Sequence, residues 1–333
     1  MAWWPLILAF ICILVTWIIK KLHFDHEDCK LVDRLDGKTI VITGCNQGIG
    51  YETVGELALR GARVIMACRD VTKAESAKSS LLKRFGTARS TKLSKKCFTM
   101  IEESQLVCET LDLDSPKSIR AFATRLQNTE SCIHILINNA AVNFSRPTFD
   151  ETGLELHLKI NHLSHFLLTT LLHPLLSAAP GGARVINVSS FNHRLAELNI
   201  QDLCRPAVGS CYSSSKLANV IHARQISERW KDDNIVAVSV HPGLVKTELF
   251  KHMPVTRWAV HTLLHWLAKT PQQGAQTIVY CSLTNELVPG GYYAECRLSK
   301  TNPQALDESV GEAVWNASEE LIKQWEANEM KVA

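Results

Sequence analysis

The sequence predicts an α/β fold, a single doubly wound parallel sheet with helices on both faces, preceded by an N-terminal transmembrane helix. Three observations predict it. Short β-branched runs alternate with stretches of helical spacing, the pattern of βαβ units. A Gly-rich turn follows the first of those runs and opens the first helical stretch. No linker-like composition interrupts residues 36–333, so they read as one domain of about 300 residues.

The first element is residues 2–19, AWWPLILAFICILVTWII, which carry no charge before Lys20 and Lys21. A run of this length reaches the lower limit for a spanning helix, about 17 residues. Trp3, Trp4 and Trp17 stand near its ends, where indole rings favour the bilayer interface. No basic residue precedes the run and no small-x-small site follows it, which argues for an uncleaved anchor (1–21) over a signal peptide. The positive flank lies on the C-terminal side, which places the body in the cytosol. Eleven cysteines, an odd number with no CxxC pair, read as reduced thiols and agree with that compartment. The N-x-S/T triplets at Asn143, Asn187 and Asn316 are then chance matches.

Residues 22–35 form a polar linker. Residues 38–43 give the first strand, and helical spacing runs from 49 to 60. Further strand signals fall at 63–67, 106–111, 133–137, 184–188 and 235–240, separated by helical stretches. Residues 84–104 are basic, Ser/Thr-rich and aperiodic, which predicts a surface insertion before the third strand. Residues 249–270 are aromatic and basic at intervals, a pattern that suits an amphipathic helix with Trp258 and Trp266. Within it His261 and His265 have i,i+4 spacing. No acidic or cysteine partner stands nearby, so no metal site is expected.

Composition narrows the function. Hydrophobic residues at 46% and charged residues at 21% exclude a disordered chain. The 36 basic residues exceed the 33 acidic ones by only +3, but the excess is concentrated. Residues 73–96 hold eight basic side chains and one acid, a net +7 that leaves −4 on the rest. A local patch on a mildly acidic body gives no footprint for nucleic acid. Arg84 to Lys96 could instead meet anionic lipid headgroups.

The turn Thr43-Gly44-Cys45-Asn46-Gln47-Gly48-Ile49-Gly50 joins strand to helix. Glycines there let the backbone approach a pyrophosphate held at the helix N-terminus, the arrangement of a Rossmann-like dinucleotide site. The second strand ends Ala67-Cys68-Arg69, without the acid that binds ribose hydroxyls in NAD enzymes. Arg69 suits a 2′-phosphate, so NADP(H) is the expected cofactor, although Asp70 follows one residue later.

Tyr212-Ser213-Ser214-Ser215-Lys216 opens another helical stretch. At i and i+4 the phenol and ammonium share a face, where the positive charge would lower the tyrosine pKa toward the working pH. Ser189-Ser190 at a strand end and Asn161 in an earlier helix converge on the same crevice.

With these motifs the chain resembles the short-chain dehydrogenase/reductase family, and within it the membrane-anchored retinol dehydrogenase group, from about Asp36 onward. The resemblance implies that Tyr212 is the proton donor or acceptor, with Lys216 lowering its pKa and holding the nicotinamide ribose. It implies that Ser190 orients the substrate oxygen and that Asn161 supports a water-mediated proton relay. Asp112 would contact adenine. Asn138 and Asn139 with Ala140 match the family's Asn-Asn-Ala-Gly stretch beside the cofactor, and Pro242, Gly243 and Thr247 match the loop at the nicotinamide amide. Ala141 departs from the pattern by placing a methyl where the family has glycine. The family's variable substrate lid corresponds to residues 249–270. The resemblance further implies hydride transfer on a lipophilic carbonyl/alcohol pair, retinal/retinol first and a steroid, polyprenal or lipid aldehyde second. The endoplasmic reticulum is the implied membrane, and a homodimer is a candidate assembly. The rival reading is a cofactor-binding membrane scaffold without catalysis.

Overall fold

A computed structural model of the chain describes residues 28–86, 97–247, Leu249, Trp258 and 268–332. The anchor at 2–19 lies outside the described residues, as do 87–96 of the basic stretch and most of 249–270, His261 and His265 included. Among the described residues no helix is long and apolar enough to cross a membrane.

β-branched runs buried on both sides become the central strands, as expected where helices cover both faces of a parallel sheet. Strand β1 (Thr39–Thr43) leads into α1 (Gly48–Leu59), and β2 (Arg63–Cys68) into α2 (Val71–Phe85). Then come β3 (Leu106–Thr110), α3 (Pro116–Thr129) and β4 (Ile135–Asn138). A helix starting at Leu156–Leu158 passes through a π turn at Lys159–Leu163 and continues as α4 (Ser164–Ser177). β5 (Ala183–Val188), α5 (Cys211–Arg229), β6 (Ile235–His241) and α6 (Pro271–Leu283) follow. The chain closes with β7 (Tyr292–Ala294), β8 (Arg297–Leu298) and the long α7 (Glu308–Val332).

The sheet order is β3-β2-β1-β4-β5-β6-β7-β8, parallel until the β7–β8 pair. The antiparallel β8 and the short β7 are additions to the six expected strands. The order reverses between β1 and β4, and a crevice for ligands opens there at the carboxyl ends of the strands. Two apolar clusters flank the sheet. One joins α3, α4, α5 and α7 through Phe122, Leu172, Ile221 and Trp315. The other joins α1, α2 and α6 through Val54, Leu81 and Ile278.

The basic stretch differs from the expected insertion at both margins. Helix α2 extends through Arg84 to Phe85, because Ala74, Ala77, Leu81 and Phe85 form a helical stripe that packs on the sheet. Beyond the break, Cys97 and Ile101 are buried. Three of the four α2 cations are already paired: Lys73 with Asp70 at 3.4 Å, Lys78 with Glu103 at 3.6 Å and Arg84 with Glu52 at 2.8 Å. The ten described cysteines are free thiols.

Candidate active site

Thr43 ends β1, and the chain then turns through Gly44 and Gly48, both at φ +63° in the left-handed region open to glycine. A Cβ on Gly44 would lie 2.8 Å from Ala140 Cα, and one on Gly50 only 2.6 Å from the Gly44 carbonyl oxygen and from Asn139 Nδ2. Gln47 caps α1 without a side-chain hydrogen bond, so the first N–H groups of the helix stay available to an anion. This cradle fits a pyrophosphate. The turn is one wall of a cleft of about 250 Å³ lined by Gly44, Asn46, Gln47, Gly48, Ile49 and Gly50. Ala140, Ala141, Val142, Tyr212, Lys216, Pro242 and Thr247 are among the residues that line the rest of it.

Asn139 holds the cradle from the β4 side. Its Nδ2 donates to the Thr43 and Gly44 carbonyls at 2.9 and 3.1 Å, and its backbone N–H donates to Thr43 Oγ1 at 2.9 Å. Asn138 does not face the cleft. It is buried, with Nδ2 donating to Thr169 Oγ1 and Asn187 Oδ1 at 2.9 and 2.8 Å, while its Oδ1 has no partner. Neighbouring side chains at a strand end point to opposite faces, so only one of the pair can reach the cofactor. Ala141 is not among the non-glycine residues at positive φ, which are Asn234, Glu295 and Cys296. Its methyl therefore brings no left-handed backbone strain.

Arg69 follows β2 and is exposed, and Asp112 follows β3 half-buried. Asp70 accepts the Lys73 N–H at 3.2 Å as the N-cap of α2, so its carboxylate is committed to the helix. Gly243, at φ +93°, packs on the Lys269 side chain. Lys269 Nζ binds both oxygens of Glu295 at 2.6 Å. That pair links positions 26 residues apart and has no sequence signature.

Helix α5 starts behind the Ser210 cap, which accepts the Ser213 N–H at 3.1 Å. Its first turns bury Tyr212 and Lys216. Lys216 Nζ donates to the Val188 carbonyl at 2.9 Å and stands 5.8 Å from the Tyr212 ring centre. Ser190 opens the 3₁₀ turn Phe191–Leu195, its hydroxyl accepting the Asn192 N–H at 3.3 Å and standing near enough to the Tyr212 phenol to lower its pKa. Asn161 sits in the π turn, where one residue more than an α-turn is accommodated. Its Oδ1 accepts the Val142 N–H at 2.8 Å, and its Nδ2 donates to the Val142 carbonyl at 3.1 Å and to Ser215 Oγ at 3.0 Å.

A family model described as short chain dehydrogenase matches residues 38–257. The chain belongs to the short-chain dehydrogenase family. Relatives of this short-chain dehydrogenase include human retinol dehydrogenase 11, 37% identical over 95% of each chain. Human retinol dehydrogenase 12 is 41% identical over 90% of each, and mouse retinol dehydrogenase 14 is 39% identical over 86% of each. Among solved structures, a Mycobacterium paratuberculosis protein is 28% identical with a TM-score of 0.67, covering 90% of this chain and 98% of that one. The Pseudomonas aeruginosa RhlG/NADP complex, 21% identical at a TM-score of 0.61, covers 78% of this chain and 95% of its own and shares the fold. The protein is thus an oxidoreductase acting on an alcohol/carbonyl pair with a nicotinamide cofactor.

In this short-chain dehydrogenase the protein alone does not lower the tyrosine pKa. Burial pushes the Tyr212 phenol up to about 12, with only the nearby Ser190 hydroxyl pulling it back. Burial also pushes the Lys216 ammonium down to about 7. The reason is desolvation, which disfavours whichever form is charged and here outweighs the neighbouring group. At neutral pH the phenol holds its proton.

Proposed function

We propose that the protein is an NADP(H)-dependent reductase of a lipophilic carbonyl compound, with retinal its leading substrate. The observation that carries this reading is the buried Tyr212, flanked by Ser190 and Lys216, at the end of the cleft that begins with the glycine cradle. The relatives' names support the retinoid, and the exposed Arg69 beside a committed Asp70 supports the 2′-phosphate. A steroid, polyprenal or lipid aldehyde is the second substrate class.

When bound, the nicotinamide supplies the hydride. The turn from Gly44 to Gly50, Asn139 and Ala140, Pro242 and Thr247 would hold the cofactor, with Lys216 at its ribose and Arg69 and Asp112 toward its adenosine end. Tyr212 Oη donates its proton to the carbonyl oxygen as negative charge grows there, a task suited to a phenol that is protonated at neutral pH. Ser190 Oγ shares that oxygen and orients it. Both amide hydrogens of Asn161 are already used by Val142 and Ser215. Its side chain therefore fixes the Val142 wall of the cleft, a positioning role beside the relay that the family resemblance implies. An N-terminal anchor at 1–21 would keep the body at the cytosolic face of the endoplasmic reticulum, where a lipophilic substrate partitions into the lipid.

Purified full-length protein with NADPH or NADH and a panel of retinal, a steroid ketone, a polyprenal and a lipid aldehyde tests the reading beside Tyr212→Phe. Turnover with retinal and NADPH that Tyr212→Phe abolishes is the expected result. Cofactor binding without turnover of any compound would establish the scaffold instead.

A further inference from the structure

We propose that His165 is a positioning residue of the oxidoreduction, tying the cofactor turn to the π turn that carries Asn161. His165 lies in the first turn of α4 and is 1% exposed. Its Nε2 is 2.9 Å from Thr43 Oγ1, and its Nδ1 is 3.0 Å from the Asn161 carbonyl oxygen.

Proton counting gives every atom in this chain a single role. Thr43 Oγ1 accepts two backbone N–H groups, from Asn139 at 2.9 Å and from Ala140 at 3.0 Å. A hydroxyl oxygen has two lone pairs and one proton, so the Thr43 proton goes to His165 Nε2. An accepting Nε2 leaves the imidazole hydrogen on Nδ1, where it donates to Asn161. The opposite tautomer would bring a third donor to Thr43 and set a bare nitrogen against a carbonyl oxygen. Burial, with Lys216 and His162 nearby, holds the ring neutral by pushing its pKa down to about 3.

These bonds close on themselves. From Thr43 the path runs through His165 to the Asn161 backbone, then through the Asn161 side chain to Val142. It returns along Ala141 to Ala140, whose N–H is bound to Thr43. The segment enclosed by this ring, residues 140–142, is the cleft wall between the cofactor cradle and Tyr212. A ring of directed bonds resists displacement of any one member, so the wall stays placed for both cofactor and substrate. Tertiary structure alone reveals it, since a lone histidine in the apolar run of residues 163–168 reads as core.

The inference rests on the alcohol/carbonyl reaction class and is independent of the NADP and retinal readings, because its test uses whichever of NADPH and NADH the wild type binds more tightly and whichever carbonyl of the retinal, steroid, polyprenal and lipid-aldehyde panel it reduces fastest. Three measurements are made on the full-length protein: the cofactor dissociation constant without substrate, the single-turnover hydride-transfer rate at saturating cofactor, and the ¹⁵N shifts of His165 in the cofactor-free protein. We expect an Nδ1–H, Nε2-accepting ring at neutral pH. Losing one such bond corresponds to roughly tenfold, so His165→Phe and Thr43→Val should each weaken cofactor binding and slow transfer by roughly that factor. Thr43→Ser, which keeps the hydroxyl, should recover most of what Thr43→Val loses. Should His165→Phe fail to fold, the Thr43 pair and the ¹⁵N shifts still decide. The proposal is overturned if the ring carries its proton on Nε2. It is also overturned if the variants lose only thermal stability and keep wild-type binding and transfer.

Discussion

At Tyr212 and Lys216 burial moves the two pKa values in opposite directions, each against the charged form. The phenol, raised to about 12, stays protonated as the pH rises through neutrality and gives up its proton only in the alkaline range. Carbonyl reduction should therefore hold its rate across neutral pH, while alcohol oxidation, which needs the phenolate, climbs with pH. The ratio of the two rates at saturating substrate checks this. Lys216 carries a stability consequence of its own. Its folded pKa of about 7 lies below the unfolded value of 10.5, so its contribution to folding worsens as pH falls from 10.5 toward 7. Lys216→Met should raise the thermal midpoint of the cofactor-free protein most at or below pH 7, with the gain fading by pH 10.5, while catalysis is lost. The Val188 carbonyl it leaves behind keeps Asn219 Nδ2 at 3.4 Å. Arg69 and Asp70 separate cleanly. Arg69→Ala should lower the NADP/NAD preference by about ten- to a hundredfold, the worth of charge-assisted phosphate contacts. Asp70→Ala should leave that preference intact and lower the thermal midpoint slightly as a lost helix cap.

Elements were legible in proportion to how local their determinants are. The glycine turn, the Tyr-Lys helix start and six strands each declare themselves within a few residues. Strands β7 and β8 span three and two residues, too short for an alternation to register. Asn138 and Asn139 read as a pair because a motif does not say which side chain faces the cleft. The ring through His165 and the Lys269–Glu295 pair depend on contacts across 122 and 26 positions. Two substitutions probe elements. Gly50→Ala would push its methyl into the Gly44 carbonyl and Asn139, both at 2.6 Å, so the turn must shift and cofactor affinity should fall by about tenfold or more. Trp315 packs α7 against α4, with its ring 4.5 Å from Phe166 and its Nε1 donating to Glu319 at 2.9 Å. Trp315→Ala should cost about 3–5 kcal/mol in urea unfolding.

Across the whole molecule, the net charge of +3 divides into paired and unassigned parts. Of the basic stretch, Lys73, Lys78 and Arg84 meet acids on the folded body, while residues 87–96 lie outside the described residues. Protein lacking residues 1–21 should bind anionic liposomes more tightly than neutral ones, by about 1 kcal/mol for each engaged Arg89, Lys92, Lys95 or Lys96. Replacing those four by Gln should erase the difference in a sedimentation assay, and α2 cations should matter little. The C-terminal helix reaches back to the cofactor side: Glu329 accepts from Ser115 Oγ at 2.6 Å and from the Lys117 N–H at 3.0 Å at the start of α3. The two margins of the sheet bear on how copies of the chain could meet. On one side the ladder stops at the two-residue β8, turned against its neighbours. On the other, the Arg125 guanidinium bonds the Thr110 carbonyl at 2.7 Å and Glu109 at 3.0 Å along β3. Neither margin offers a long, open row of backbone groups for another strand to extend. Self-association, and the fibre-like growth that exposed strands invite, is thereby steered away from the described margins of the sheet.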